Sequence, residues 1–283
     1  MPVVKRGDGV KGIISGIKRM EIHDGEGLRT TVFFKGCPLR CIWCHNPESI
    51  SFGRQVAKFD VKCAACGSCR GEVSEKTAAI CPTEAITVFG REMSVEELLC
   101  ELMPDKPFWD RSGGGVTLSG GECLAQPDFA RLLCSALWER GVSVLIDTCG
   151  YVDRSAFDGV LPYVGGFLYD LKAVDTEVHR RCTGRDNGRI ISNLRYLKSR
   201  GARLFIRYPL VMGYNDGECE SIGRLLCDLG GVEEIKVLRY HSLSASRYSA
   251  LGMECTLPDT VTAEEDVIAA VERLKAMGLN AVY

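Results

Sequence analysis

The sequence lacks the features that would place it in a membrane or on nucleic acid. It contains no run of about 18 apolar residues, so it predicts no membrane-spanning helix. Its first residues carry charges where a secretory signal has an apolar core, and we therefore expect a cytoplasmic protein. The 35 basic and 37 acidic residues give a net charge of −2, which offers no basic excess for nucleic acid or an anionic membrane. We also find no tandem repeat and no low-complexity segment.

Cysteine, in contrast, is abundant, with 15 residues in a chain of 283. Such a number indicates either an oxidised disulfide framework or a reduced, metal-binding protein. Without a secretory signal the second interpretation is favoured, and we expect oxygen sensitivity once metal clusters are bound. The length suffices for a sizeable core, arranged either as one large domain with an insert or as two domains.

Cys37, Cys41 and Cys44 form a CxxxCxxC spacing directly after residues 30–34, an apolar run typical of a buried strand. A zinc site or a closed iron–sulfur cluster uses four protein ligands. Three thiolates on one loop instead leave one iron of a 4Fe-4S cluster with an open coordination position. That open iron can bind a substrate.

A second group of cysteines follows at Cys63, Cys66, Cys69 and Cys81, the last of which precedes a proline. This CxxCxxC run with a later Cys-Pro resembles one half of a bacterial ferredoxin and has ligands for one closed 4Fe-4S cluster. A zinc ribbon is the alternative, but a ribbon usually pairs two CxxC motifs, and the third cysteine of the run fits a cluster better. We assign residues 58–91 to a ferredoxin-like insert and residues 1–57 and 92–283 to the main domain.

Strands and helices alternate after the insert, which is typical of βαβ units and a parallel sheet. A helix capped by Ser94 begins the series, and Cys100 on this helix is expected to be buried. About six units are present, too few for a closed eight-stranded barrel. The predicted strands are 142–147, 166–170, 204–211 and 234–240, and the predicted helices are 127–140, 155–161, 188–199, 218–228 and 263–276.

Polar residues fall where these predicted strands end. They are Asp147, Asp170 with Lys172, Arg207 and His241. Loops after parallel strands meet at one edge of a sheet, so we expect these side chains on one rim with the three-cysteine loop. The glycine-rich turn at 120–122 belongs to the same rim, since glycine lets the backbone approach a ligand closely.

Residues 23–37, His-Asp-Gly-Glu-Gly-Leu-Arg-Thr-Thr-Val-Phe-Phe-Lys-Gly-Cys, resemble the N-terminal signature of the glycyl radical enzyme activating enzymes, a family of the radical S-adenosylmethionine superfamily. The resemblance extends over nearly the whole chain. It implies an α/β fold, a partial, open (β/α)6 TIM-like barrel with a small ferredoxin-like iron–sulfur insert. Relatives with such an insert often carry two clusters in it, whereas this insert has ligands for one.

The resemblance also implies roles for residues of the predicted rim. Gly120, Gly121 and Glu122 match a Gly-Gly-Glu motif that binds the methionyl amino group of S-adenosylmethionine, although Cys123 stands where the family usually has proline. Asp147 and Asp170 are expected to hold a monovalent cation. The residues expected at S-adenosylmethionine are Trp43, His45, Gly120, Gly121, Glu122, Asp170, Lys172, Arg207 and His241.

By this resemblance, S-adenosylmethionine binds the open iron, and one electron cleaves it to methionine and a 5′-deoxyadenosyl radical. The radical takes hydrogen from a glycine of a partner glycyl radical enzyme, so no catalytic acid–base pair is expected. A flavodoxin or ferredoxin would supply the electron. The insert would then serve as an electron relay or as a structural and docking module.

Two alternatives come from other functional classes. The first is a radical enzyme that acts directly on a small molecule. The second is a ferredoxin-type electron carrier. This interpretation leaves the cluster of the 37–44 loop without a fourth ligand and assigns no function to the turn at 120–122. The remaining cysteines have no tight spacing and are expected to be core or surface thiols: Cys100, Cys123, Cys134, Cys149, Cys182, Cys219, Cys227 and Cys255.

Overall fold

The computed structural model describes residues 9–283, so the charged segment 1–8, which supported the predicted location, lies outside it. The strands are β1 (Lys11–Glu21), β2 (Arg29–Phe34), β3 (Gln55–Lys58), β4 (Ile86–Phe89), β5 (Arg91–Ser94), β6 (Gly115–Gly120), β7 (Ser143–Thr148), β8 (Gly166–Asp170), β9 (Leu204–Leu210), β10 (Glu234–Arg239) and β11 (Ala281–Val282). The helices are α1 (Glu75–Ala79), α2 (Val95–Leu102), α3 (Lys106–Ser112), α4 (Pro127–Trp138), α5 (Arg154–Val160), α6 (Thr176–Thr183), α7 (Gly188–Ser199), α8 (Cys219–Asp228), α9 (Ala245–Ala250) and α10 (Glu264–Ala276). None of these helices is long and apolar enough to span a bilayer.

One large sheet holds nine of these strands in the order β11-β10-β9-β8-β7-β6-β2-β1-β5. In this spatial order, the seven strands from β11 to β2 are each parallel to their neighbours. The strand β1 pairs antiparallel with both β2 and β5. Within residues 9–283 the edge strands β11 and β5 do not pair with each other, so the sheet stays open. The predicted α/β architecture, an open barrel of about six βα units, is confirmed.

The sheet curls strongly, as a contact across it shows. Arg207 on β9 and the loop before β2, which carries Asp24, are four strand spacings apart along the sheet, or about 19 Å if it were flat. Yet Arg207 Nη2 lies 2.8 Å from Asp24 Oδ1. Asp24 also accepts hydrogen bonds from Thr31 and Thr117, whose side chains face the concave side. The loop between β1 and β2 therefore folds into the half-barrel.

Alternation along the strands separates the core from the concave face. On β6, Val116 and Leu118 are buried in the main hydrophobic cluster, while Ser119 lines a cavity on the other face. Because side chains alternate along a strand, each parallel strand gives apolar residues to the helices and polar residues to the interior. The buried residues of the other parallel strands include Val144, Ile146, Phe167, Tyr169, Ile206, Tyr208, Ile235 and Val237.

The helix after the insert begins as predicted. Ser94 Oγ accepts a hydrogen bond from Glu97 N at 3.1 Å, and Ser94 N donates one to Glu97 Oε2 at 2.8 Å, which completes a capping box. The expectation for Cys100 was wrong, because this residue is exposed. Val95, Leu98, Leu99 and Leu102 form the buried face of α2, and position 100 points away from it.

The insert contains a two-stranded antiparallel sheet, β3 with β4, and the short helix α1. Its first strand begins at Gln55, slightly before the boundary that the sequence indicated. Lys35, fully buried just before the cysteine loop, ties the two parts together by donating to Glu48 O and to Gln55 Oε1 at 2.8 Å. Burial lowers the pKa of Lys35 to about 8.

Candidate active site

A cavity of about 390 Å³ lies at the carboxyl ends of the parallel strands, and we call it the first cavity. The loop after β2 forms one side, and the ends of β6 to β10 form the other. Most of the predicted site residues line this cavity: Cys37, Cys41, Trp43, Cys44, His45, Gly120, Gly121, Asp147, Asp170, Lys172, Arg207 and His241.

Hydrogen bonds to neighbouring backbone hold the loop with the three cysteines. Gly36 N donates to Ser49 O at 2.8 Å, and Gly36 has a φ of 96°, a conformation that favours glycine. Further along, Arg40 N and Ile42 N donate to the last carbonyls of α6 at 2.8 and 3.0 Å. The loop is thus fixed at both ends, with its thiols facing one space.

The three thiols differ in how readily they lose a proton. Burial raises the pKa of Cys44 to about 12 and raises that of Cys41 further. The Cys37 pKa is lowered, first because the neighbouring Cys149 thiol donates a hydrogen bond to it. Since metals bind cysteine as thiolate, iron would displace protons from this buried loop.

Arg207 lies at the centre of a network of buried charges on the concave face. Its guanidinium contacts Asp24 at 2.8 Å and Asp147 at 2.9 Å. Burial alone would lower the pKa of Arg207, but these carboxylates raise it. Although burial opposes the effect, Arg207 in turn lowers the pKa of Asp24. Ser119 donates to Asp147 Oδ2 at 2.5 Å, so β6, β7 and β9 meet in one polar network.

Lys172 and Asp170 form a second pair, with Nζ 2.5 Å from Oδ2. Burial alone would lower the pKa of Lys172, but Asp170 raises it. Asp147 and Asp170, the expected ligands of a monovalent cation, are therefore each paired with a basic side chain. A cation here would compete with Arg207 and Lys172.

The structure places the Glu122 carboxylate away from the first cavity. This residue is fully buried and accepts hydrogen bonds from Cys149 N and Thr148 Oγ1, both at 2.8 Å, and from Leu124 N at 3.1 Å. These donors satisfy the carboxylate on the far side of the turn. What the Gly-Gly-Glu motif presents to the cavity is the backbone of Gly120 and Gly121.

Aromatic residues cover the side of the cavity near Cys44. The rings of His45 and His241 stack with centroids 4.2 Å apart and planes 5° from parallel, and Tyr240 lies 6.1 Å beyond His45. Trp43 is buried in a small cluster with Tyr240 and Val211. Burial and the neighbouring imidazole of His241 lower the pKa of His45, which favours a neutral His45 ring. Such a wall suits the flat face of a nucleobase.

The four cysteines of the insert surround a separate cavity of about 50 Å³. Cys63 and Cys66 are exposed, whereas Cys69 and Cys81 are half-buried. Across the described part of the chain, no three Cys, His, Asp or Glu side chains converge closely enough to hold a single metal ion. Sulfurs spread around a space fit a cluster, in which each thiolate binds a different iron, better than one zinc ion.

Sequence reasoning missed several residues of the first cavity and its surroundings, among them Asp24, Ser119, Cys149 and Tyr240. Cys149 and Tyr240 directly follow β7 and β10, two strands that the sequence predicted to within two residues, so position relative to the strand is a signal that could have found them. Asp24 has no such signal, because its contact with Arg207 joins distant parts of the chain.

The fold and the three-cysteine loop define a radical S-adenosylmethionine protein. The sequence profile of the radical SAM superfamily matches residues 31–226, which include the cysteine loop and the ends of β6, β7, β8 and β9. Within that superfamily, the chain belongs to the glycyl radical enzyme activating enzymes, as its relatives show.

The trans-4-hydroxy-L-proline dehydratase activating enzyme of Clostridioides difficile is 33% identical over 93% of this chain and 95% of its own. The isethionate sulfite-lyase activating enzyme of Oleidesulfovibrio alaskensis is 36% identical over 94% of each chain. Among solved structures, a domain of pyruvate-formate lyase-activating enzyme from Bacteroides vulgatus is 27% identical, with a TM-score of 0.51 over 60% of this chain and 98% of its own.

Proposed function

We propose that this protein cleaves S-adenosylmethionine reductively and uses the resulting radical to take a hydrogen atom from a glycine of a partner glycyl radical enzyme. The observation that carries the proposal is the shared wall of the first cavity. Cys37, Cys41 and Cys44 face the same space as the polar strand ends. Three thiolates would hold a 4Fe-4S cluster with one open iron.

When bound, the cluster and S-adenosylmethionine supply a one-electron cleavage that yields a 5′-deoxyadenosyl radical. The chain's own residues would bind and orient S-adenosylmethionine. A Cβ at Gly120 would lie 2.2 Å from Phe34 N, and one at Gly121 would lie 2.4 Å from Ser49 O, so only glycine brings this backbone to the cavity. Its polar groups suit the amino acid moiety of the cofactor, while Trp43, His45 and His241 suit the adenine.

Lys172 and Arg207 hold charge and exclude water on the opposite side of the cavity. Both are largely buried, and both are paired with carboxylates. Their pairing keeps the interior close to neutral before the cofactor enters. A carboxylate of the cofactor, or a monovalent cation at Asp147 and Asp170, would enter this network by exchanging partners within it.

The insert would hold a second 4Fe-4S cluster through Cys63, Cys66, Cys69 and Cys81, with no open coordination position. Because two of these thiols are exposed, a flavodoxin or ferredoxin that docks on the insert would come close to the cluster they hold. The insert thus has a place in electron delivery or in docking. A protein with this many reduced thiols would work in the cytoplasm.

The test is an anaerobic assay on the reconstituted protein. We expect about eight irons per chain, and 5′-deoxyadenosine after addition of dithionite and S-adenosylmethionine. Cys41→Ala should lose about half of the iron and all deoxyadenosine. Cys134→Ala is the control, since Cys134 is a buried cysteine on α4 outside the first cavity. A fully loaded protein that forms no deoxyadenosine would overturn the proposal and favour electron transfer.

A further inference from the structure

A second cavity of about 560 Å³ adjoins the first, and the two share wall residues that include His45, Ser119 and Arg207. Three parts of the molecule enclose it: the concave face of β1 and β2, the loop after the third cysteine together with α9, and the insert. Continuity with the first cavity means that a polypeptide reaching the reacting centre through this opening must lie against these three parts.

The basic side chains on the wall of the second cavity are already paired. Lys18 lies 2.8 Å from Glu21, Arg247 lies 2.7 Å from Glu48, and Arg207 is held by Asp24 and Asp147. Because four carboxylates face these three basic side chains, the wall offers an acidic side chain of the occupant no free cation. Removing a carboxylate of the occupant from water here would therefore cost free energy that no ion pair offsets.

What this wall does offer is apolar surface. Phe33 on the concave face, and Phe89 at the end of β4 in the insert, are half-buried and line the second cavity. Half-buried aromatic rings in a groove are typical anchors for an apolar side chain of a partner. Phe89 also packs edge-on against Phe59, with centroids 6.4 Å apart, which fixes its ring on the insert.

Glu48 provides an acceptor on the same wall. It is 8% exposed, and its Oε2 accepts no hydrogen bond from any of the residues that the structure describes. Oε1 is held by Arg247. An extended segment in the second cavity carries backbone N–H groups, and one of these can supply the missing donor after a small shift of α9.

We infer that the second cavity holds the glycine-bearing segment of the partner enzyme, and that the insert recognises it through Phe89. The inference rests on the proposed function. It assigns to the insert a role in selecting the partner, in addition to any role of its cluster. The segment that fits has no acidic side chain and carries an apolar side chain beside the glycine.

The probes are three synthetic peptides, Ser-Ser-Z-Gly-Z-Ser-Ser, in which Z is Phe, Glu or Lys and the glycine carries deuterium at Cα. Transfer of deuterium into 5′-deoxyadenosine reports that the glycine reached the reacting centre. We expect the Phe peptide to transfer deuterium at the lowest concentration. Phe89→Ala should raise the concentration needed for half-maximal transfer about tenfold, with deoxyadenosine formed without peptide unchanged.

Phe59→Ala is the matched control, because it breaks the same aromatic pair but does not line the second cavity. Phe89→Lys should shift the preference to the Glu peptide, which a mere loss of insert stability could not do. Iron content verifies that each variant keeps its clusters.

Equal effects of Phe89→Ala and Phe59→Ala, or an unchanged preference in Phe89→Lys, would overturn the inference. So would wild-type protein that forms deoxyadenosine but takes deuterium from none of the peptides. Absence of deoxyadenosine under every condition would instead refute the proposed function, and the two failures are thus told apart.

Discussion

The two cysteine sites of this protein use the same side chain in opposite environments. The three cysteines of the first cavity stand among buried charges and stacked rings, in a space of about 390 Å³. The four cysteines of the insert stand near the surface around about 50 Å³, lined mostly by small residues. One site has room and polar partners for a substrate beside its thiols, and the other has room for little besides a cluster. The difference indicates chemistry at the first and electron transfer or support at the second.

The largest expected effect separates the roles of the two sites. Cys81→Ala removes one of the four insert ligands, and we expect it to lose up to half of the iron. If the insert relays electrons, deoxyadenosine formation driven by a flavodoxin or ferredoxin should fall about tenfold or more. Normal cleavage with such a donor would refute the relay role and leave the insert its structural and docking roles.

A second prediction compares the stability that buried ion pairs contribute with the stability that a half-exposed ion pair at the insert contributes. Arg207→Met leaves Asp24 and Asp147 unpaired in the interior, and we expect the free energy of unfolding to fall by about 3 kcal/mol. Arg54→Met removes an ion pair between the residue before β3 and Glu75 of the insert. The two side chains are 3.0 Å apart and each is about half exposed, so the loss should cost less than about 1 kcal/mol. Anaerobic urea unfolding at pH 7 measures both. Similar losses would contradict the contrast between the two regions.

A third prediction concerns Glu122, whose buried carboxylate accepts hydrogen bonds from Thr148 and Cys149. Glu122→Gln puts an amide N–H group where the carboxylate accepts hydrogen bonds, so at least one buried donor at Thr148 or Cys149 loses its acceptor. We expect the free energy of unfolding to fall by about 1–3 kcal/mol. Urea unfolding, together with the dependence of deoxyadenosine formation on S-adenosylmethionine, tests this. Unchanged stability with weaker cofactor binding would instead support direct contact with the methionyl ammonium.

The sequence predicted the barrel well because its information is local. Apolar strands and amphipathic helices follow one another at short range, and polar residues at 147 and 170 mark strand ends, whereas Arg207 lies in the middle of β9. Parallel strands bring such ends to one rim whatever the details of packing, so much of the first cavity could be predicted before the structure was known.

What the sequence could not predict depends on contacts between distant segments. The Glu122 carboxylate points into the interior because Thr148 Oγ1 and Cys149 N, at the end of β7, donate hydrogen bonds to it. Tyr248 and Ser244 both donate to Cys44 O, at 3.0 and 3.4 Å, across about two hundred residues of chain. No periodicity links such positions. The second cavity likewise appears only when the insert is placed against the barrel.

The smallest expected effect is a pH dependence of stability at His179 on α6, the helix that holds the three-cysteine loop. Its Nδ1 lies 2.8 Å from Arg185 O, to which it donates, and its buried Nε2 has no hydrogen-bond partner in residues 9–283. Burial, with Lys172 nearby, lowers the pKa of His179 below 6.5, while Arg185 O and Asp186 oppose the shift.

The unfolded chain therefore binds a proton at His179 before the folded chain does, so this residue's contribution is complete above about pH 6.5 and declines as the pH falls. Between pH 7 and pH 5.5 we expect wild type to lose on the order of 1 kcal/mol more than His179→Gln, measured by anaerobic urea unfolding. The insert contains no histidine, so Cys81→Ala should show the wild-type pH dependence. Equal pH dependence in wild type and His179→Gln would place the titrating group elsewhere.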